Sequence, residues 1–416
     1  MASQSGYGGH FKRVPTDSSH ILQFLPMNSF IRSFIVGIAV SASASVLAQE
    51  SQLMRIYNSN GTGFGAQSLG VAPGRSMVSL YGTVDMAINH IRSGSESQTR
   101  VQSGNAWTSK FGIYGQEDLG QGWTTFFRLE AGLLADTGAQ QMAGTLFNRN
   151  SVIGLHSQRY GQMTLGRQYS SMGSAAIGAD PFLGNSHESV FATMVSMNGM
   201  GGAGNVDAFA RLNKTVRYIS PRFFNSFFVD TSLSLKDDQS VGTSIHAKTL
   251  TANYSDGTTF VGLAYAQSYC DRGLPGSCAS TDPALPSQRT DSMILSAIRD
   301  FGPFVGQASY TRVAPKVAGS PNVSLYSTGL QSLVGMNLYR ASLTYRHTTT
   351  AQNYAYGATL GVDHFLSRRT ALYGRISILK NGPSSNLMIN RESAGNITAR
   401  EGSTVSDISL GMYHNF

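Results

Sequence analysis

Val405-Ser406-Asp407-Ile408-Ser409-Leu410-Gly411-Met412-Tyr413-His414-Asn415-Phe416 is the stretch on which the reading of this chain turns. Ile408, Leu410, Met412 and Phe416 share one parity, while Asp407, Ser409, Gly411, Tyr413 and Asn415 share the other. Successive side chains of an extended strand point to opposite faces, so the segment carries one apolar and one polar face. A single strand of this kind would suit the edge of a soluble sandwich. The same alternation, however, recurs along most of the sequence.

Val78, Leu80, Val84, Met86 and Ile88 oppose Ser79, Tyr81, Thr83, Asp85 and Asn89. Phe111 and Ile113 oppose Lys110, Gly112 and Tyr114, and Phe127, Leu129, Ala131 and Leu133 oppose Phe126, Arg128 and Glu130. Charges thus stand inside strands, away from the apolar parity. Runs at 77–91, 107–117, 122–134 and 404–416 join others near 147–158, 161–170, 211–220, 225–236, 245–255, 258–269, 289–300, 303–313, 323–334, 338–348, 355–366 and 369–380. Together they predict about sixteen strands, an even number of the kind single-chain membrane barrels use. Tight turns such as Arg159-Tyr160-Gly161, Ser255-Asp256-Gly257, Asp300-Phe301-Gly302-Pro303 and Leu366-Ser367-Arg368-Arg369 alternate with longer polar loops. A sandwich has no reason to gather short turns at one end and long loops at the other, whereas an up-and-down barrel in an outer membrane does so. The expected fold is therefore all-β, a transmembrane antiparallel barrel with its apolar parity facing lipid.

Composition agrees. The chain has 416 residues, 46 of them Gly, with 10% aromatic and only 13% charged residues, which fits many turns and an incompletely solvated surface. A bundle of membrane helices is excluded, because each helix needs roughly 20 consecutive apolar residues and one stretch alone approaches that. That stretch follows Met27 and Arg32: Ser33 to Val40 is apolar, and Val46-Leu47-Ala48 before Gln49 matches the small-x-small cleavage rule of an export signal. The predicted organisation is an N-terminal extension and signal at 1–48, a leader at 49–75, and the barrel at 76–416. Export makes a disulfide between Cys270 and Cys278, which bracket a Pro- and Gly-containing polar loop, a better expectation than a metal pair.

No catalytic constellation stands out. The nine His residues show no His-x-x-x-His spacing, there is no Gly-x-Ser-x-Gly elbow, and Gly199-Met200-Gly201-Gly202-Ala203-Gly204 lacks the Lys-Ser/Thr of a phosphate loop. Neither enzyme activity nor a cofactor or metal is expected. His156 and His246 have no Asp and Ser partners in register, which argues against a barrel lipase or protease.

The order and spacing of several pieces resemble the Gram-negative outer-membrane porins, in particular the trimeric general-diffusion type. These pieces are Ser79-Leu80-Tyr81-Gly82, Gly115-Gln116-Glu117-Asp118-Leu119-Gly120, Leu165-Gly166-Arg167-Gln168-Tyr169, Val216-Arg217-Tyr218-Ile219-Ser220-Pro221, Arg369-Thr370-Ala371-Leu372-Tyr373-Gly374 and Phe416. The resemblance implies a homotrimer in outer-membrane lipid, passing small hydrophilic solutes and ions, with no role for nucleic acid. It also implies a long third loop folded into the lumen, facing a basic cluster on the wall. The segment from Ser171 to Ala210, with Asp180-Pro181-Phe182-Leu183-Gly184, answers to that loop and supplies the acids Asp180, Glu188 and Asp207. Lys110 stands where such porins carry Arg, and Arg167 and Arg211 match basic positions.

Parity supports this in part. Lys110 and Arg211 have lumen parity. Arg167 shares the parity of Met163 and Leu165 and reaches the lumen only if a bulge at Gly166, or the end of the strand, turns it. Arg149 shares the parity of Ile153 and Leu155 and is set aside, and Arg128, Arg340, Arg346 and Arg375 are read as charges that merely keep water in. A net charge of +8, which includes the leader, gives weak support to anion preference. The competing expectations are a substrate-specific channel with a dedicated binding track and a soluble secreted β protein.

Overall fold

The computed structural model describes residues 71, 74–178, 180–182, 189, 191, 194, 207–237, 243–270, 288–389 and 397–416. The strands are β1 (Met77–Ser93), β2 (Glu96–Ser103), β3 (Lys110–Gly120), β4 (Trp123–Leu134), β5 (Ala139–Gln140), β6 (Asn150–Ser157), β7 (Gly161–Tyr169), β8 (Arg211–Ile219) and β9 (Phe227–Leu235). They continue as β10 (Ile245–Ser255), β11 (Thr259–Tyr269), β12 (Arg289–Asp300), β13 (Val305–Pro315), β14 (Val323–Val334), β15 (Asn337–Thr348), β16 (Tyr354–Phe365), β17 (Thr370–Asn381) and β18 (Thr404–Asn415). Between β7 and β8 the described residues include a short helix, α1 (Ser171–Gly178), and a 3-10 turn, Asp207–Phe209.

Every pairing is antiparallel, and the last strand returns to the first: β18 runs beside β1 from Thr83↔Asn415 to Ser93↔Val405. The Phe416 and Gly82 backbones complete the seam with hydrogen bonds in both directions at 3.1 Å. β2 and β3 occupy one position together, β2 pairing the second half of β1 and β3 its first half, while β5 pairs only with the end of β4. The wall is thus a closed barrel of sixteen positions. Closure joins the first strand to the last and so removes the wall's terminal edges, which in hydrocarbon would cost several kcal/mol per backbone group.

The division of the second position differs from the single run expected at 107–117. Glu96-Ser97-Gln98-Thr99-Arg100-Val101-Gln102-Ser103 is polar on both parities and so carries no alternation signal. Between the two pieces the chain leaves the wall at Gly104–Ser109 and is anchored by one carboxylate. Asp85 accepts the backbone N–H groups of Ala106 at 2.7 Å and Trp107 at 2.5 Å, and the Tyr373 hydroxyl at 2.6 Å from two strands away.

The two parities are sorted as the pattern predicts. Leu80, Val84, Leu410 and Met412 face outward and are exposed, Leu410 by 68%, whereas Asp85, Asp407 and Ser409 on the opposite face are fully buried. Among the described residues no helix is long and apolar enough to cross a membrane. An outward apolar band on a closed antiparallel wall is instead a surface matched to lipid. The segment after β7 adds an apolar cluster, in which Met172, Ala175 and Ala176 of α1 are buried with Ala264, Ala266 and Ile294.

The tight turns are held by local hydrogen bonds. In the β10–β11 turn Asp256 Oδ1 accepts the N–H groups of Thr258 at 2.9 Å and Thr259 at 2.7 Å. These two bonds hold its carboxyl well below the usual carboxylate range.

Two outcomes follow from this architecture. Leu410→Arg places a charge against hydrocarbon and lowers barrel stability in lipid by about 2–4 kcal/mol, measured by urea unfolding in vesicles; unchanged stability would contradict the outward assignment. Because the Asp256 carboxyl is depressed in the folded state, its contribution is present at neutral pH and disappears as pH falls through that lowered value. Asp256→Asn therefore reduces stability at pH 7 and flattens its acid dependence in the same unfolding assay.

Candidate functional site

The inward face of β3, β4 and β8, with the residue entering β6, gathers most of the charge on one side. Lys110 opens β3 and is buried, as its parity predicts. On β4, Glu130 alternates with the outward Leu129 and is buried to 3% exposure. Arg149 Nε donates to Glu130 Oε1 at 2.7 Å, and the Tyr81 hydroxyl donates to Oε2 at 2.9 Å. Lys110, Arg149 and Arg211 are the cations whose charge acts on this carboxylate. Arg128 lies beside them, its guanidinium 5.5 Å from the Tyr114 ring centre.

The parity argument misplaced Arg149. It precedes the first residue of β6, so strand alternation does not govern it, and its backbone N–H bonds to the Glu130 carbonyl at 3.1 Å and turns its side chain inward. Glu130 was visible as an inward charge but was given no role. An inward acid opposite two basic positions was the available signal.

Arg211 opens β8 with its guanidinium stacked 3.9 Å from the Tyr169 ring centre, and its Nε has no hydrogen-bond acceptor among the described residues. A cation over a π face keeps its charge while its remaining donors stay available. Arg217 on the same strand is neutralised, because it grips Asp230 with both Nε and Nη2, at 2.9 and 2.6 Å.

Arg167 sits at a register shift in β7 between Gly166 and Gln168. Gly166 has φ +122° and its α-carbon faces the Ser151 carbonyl so closely that a Cβ would lie 2.1 Å from the oxygen, so only glycine allows the bulge. Arg167 then donates to the Asn148 carbonyl and the Asn213 side chain, both at 2.6 Å, and Gln168 takes the buried face.

Of the loop acids, Asp180 is fully buried and turned onto its own segment, accepting the Ser189 hydroxyl at 2.5 Å and the Phe182 N–H at 3.2 Å. Asp207 begins the 3-10 turn before β8. Glu188 lies outside the described residues. So does Cys278; Cys270 is buried at the end of β11, its N–H bonded to the Gln288 carbonyl.

A second cluster on β15 to β17 involves residues read from the sequence as simple lumen charges. Arg340 and Arg375 are both buried and share Asp363, Arg340 at 3.2 Å and Arg375 by a hydrogen bond to the other oxygen. Arg375 also lies 5.5 Å from the Phe182 ring centre. Pro181 and Phe182 fit against glycines of the wall: a Cβ on Gly329 would come within 2.2 Å of Pro181 Cγ, and one on Gly361 within 2.9 Å of Phe182 Cε1. These arginines are therefore part of a packed contact rather than a solvated surface. Among the described residues no three His, Cys, Asp or Glu side chains gather to hold a metal ion.

The comparisons with known proteins agree with this geometry. The Gram-negative porin family profile matches residues 36–382. Outer membrane porin protein 32 of Delftia acidovorans is 28% identical over 368 residues, covering 83% of this chain and 96% of that protein. Among solved structures, an anion-selective porin from Comamonas acidovorans superposes with a TM-score of 0.69 at 24% identity, covering 82% of this chain and all of the other. The trimer form of OmpT from Vibrio cholerae gives 0.57 at 14% identity, covering 82% of this chain and 99% of the other, a likeness of fold. With a closed antiparallel wall, an outward apolar band and a family match over most of its length, the chain belongs to the Gram-negative porins.

Proposed function

We propose that this outer-membrane barrel is a water-filled channel for passive diffusion of small hydrophilic solutes, with a preference for anions. The observation that carries the proposal is the grouping of Lys110, Arg128, Arg149 and Arg211 around Glu130, the one carboxylate in that group among the described residues. A cation excess at one level of a low-dielectric wall focuses a positive potential across the bore. The anion-selective character of the Comamonas porin accords with this reading.

In the same reading the segment containing α1, Pro181 and Phe182 is the third loop, folded inward to narrow the bore. Its contacts with strands β10 to β17, far from the β7 and β8 ends that it connects, support this placement. The OmpT relative of known trimer form supports assembly as a homotrimer.

Reconstitution into a planar bilayer under a salt gradient tests the central point. The reversal potential is expected to move toward the equilibrium potential of the anion, and a cation-selective potential would overturn the proposal. Glu130→Gln removes that carboxylate's negative charge and increases anion preference, while Arg149→Gln reduces it. Both shifts are larger near 0.1 M salt, where the screening length is about 10 Å, than near 1 M, where it is about 3 Å. Gly361→Val displaces Phe182 and changes single-channel conductance; conductance and noise equal to the parent would argue against a constricting role for the segment. Unheated protein in mild detergent sediments as three copies and dissociates on heating, whereas a stable monomer would contradict the trimer.

A further inference from the structure

The stretch ahead of β1 is tied to the inside of the wall. β1 opens at Met77 opposite Gln116, at the tight-turn end of the barrel. Gln116 Nε2 donates to the Arg75 carbonyl at 2.6 Å, and Ser76 Oγ accepts the Asp118 N–H at 3.1 Å. Val71 packs against Tyr81, Tyr114 and Phe126. These three rings are buried and belong to the inward face. Tyr81 donates to Glu130, Tyr114 stands across from Arg128, and the Tyr114 and Phe126 ring centres are 6.2 Å apart.

This contact requires the chain to double back. Entering β1 in line, six residues of extended chain would put Val71 about 20 Å below Met77, whereas Tyr81 lies about 13 Å up the strand in the other direction. Gly74, with φ +76°, supplies the left-handed residue that such a reversal needs, next to Pro73 in the sequence. The chain therefore reaches β1 from within the bore. Short turns are periplasmic in such barrels, so this is the periplasmic half.

The shelf that receives Val71 is broader than one valine. Thr124 lies two residues from Phe126 on the same inward face and is buried to 1% exposure, its hydroxyl without a partner among the described residues. His156 stands across from Thr124 on β6, and its Nδ1 is likewise buried and unpartnered there. The shelf thus sets two unanswered hydrogen-bonding groups beside its rings.

We infer that this shelf is the docking surface for the chain's own segment 50–70, which continues from Val71 into the periplasmic half of the bore and narrows it. The segment's chemistry fits the shelf. It carries one acid, Glu50, and one base, Arg55, so it is neutral beside the cationic group above, and Ile56, Phe64 and Leu69 offer apolar contact among polar and glycine neighbours. Its length also fits: residues 50–70 reach up to about 70 Å when extended, more than the roughly 30 Å depth of the hydrocarbon core. The electrical consequence rests on the channel reading; the docking itself does not.

The test treats folded protein in mild detergent with trypsin and follows cleavage after Arg55 by mass spectrometry of the intact chain. In the parent this bond is protected, because a protease cannot enter the bore. Val71→Asp sets a charge against the rings, lies outside every strand, and makes the bond cleavable. In planar bilayers, deletion of residues 50–70 and Val71→Asp both raise single-channel conductance. Equal cleavage rates in the parent and Val71→Asp would overturn the inference. So would a protected parent whose conductance the deletion leaves unchanged, since the segment would then lie against lipid or another protein. A parent that forms no channel would sink the channel reading, and the trypsin comparison would still decide the docking.

Discussion

The structure depends on one constraint: in hydrocarbon each backbone N–H and C=O must find a partner within the protein. A sheet meets that constraint only by closing, and the seam between β1 and β18 is where it closes. The rest follows from closure. Once the wall is sealed, strand parity becomes a division between lipid and interior, and a bore of sixteen positions is too wide to be filled by wall side chains alone. The detour at Gly104–Ser109 is tied to β1 by Asp85, and the segment after β7 is tied to β10 by the Ser171 and Thr249 hydroxyls, while Asp180 holds that segment to itself.

The interior is electrostatically uneven, and that unevenness gives it a function. On β15 to β17, Arg340 and Arg375 are buried and share one carboxylate, with Arg375 over the Phe182 ring. A buried pair of this kind specifies geometry more than it adds stability. Around Glu130 the balance is different, because among the described residues several cations act on one acid, and Arg211 rests on Tyr169 without an acceptor there for its Nε. One side of the wall thus uses its charge to hold the chain in place, and the other keeps an excess of cations, the feature on which the proposed anion preference rests.

Much of this was legible in the sequence because the period of two is so regular. Leu80, Val84, Leu410 and Met412 are outward, and Asp85, Lys110 and Asp407 inward, as their parities require. Parity failed where the strand was not regular. Arg149 lies just before β6, Arg167 on a bulge that Gly166 permits, and Glu96–Ser103 is polar on both faces. Nor does alternation say which inward charges will pair. Arg340, Asp363 and Arg375 meet because neighbouring strands bring them into register, and that register is a property of the assembled sheet.

The most direct test of the central claim is a single-tryptophan scan of β15 in bilayers containing brominated lipid, with Trp107 and Trp123 replaced by Phe. Tryptophan at positions 341 and 343 should be strongly quenched by the lipid, and at 342 and 344 weakly, in strict alternation. Uniform quenching, or quenching of 342 and 344 in preference to their neighbours, would contradict a sealed wall with hydrocarbon outside and an aqueous interior.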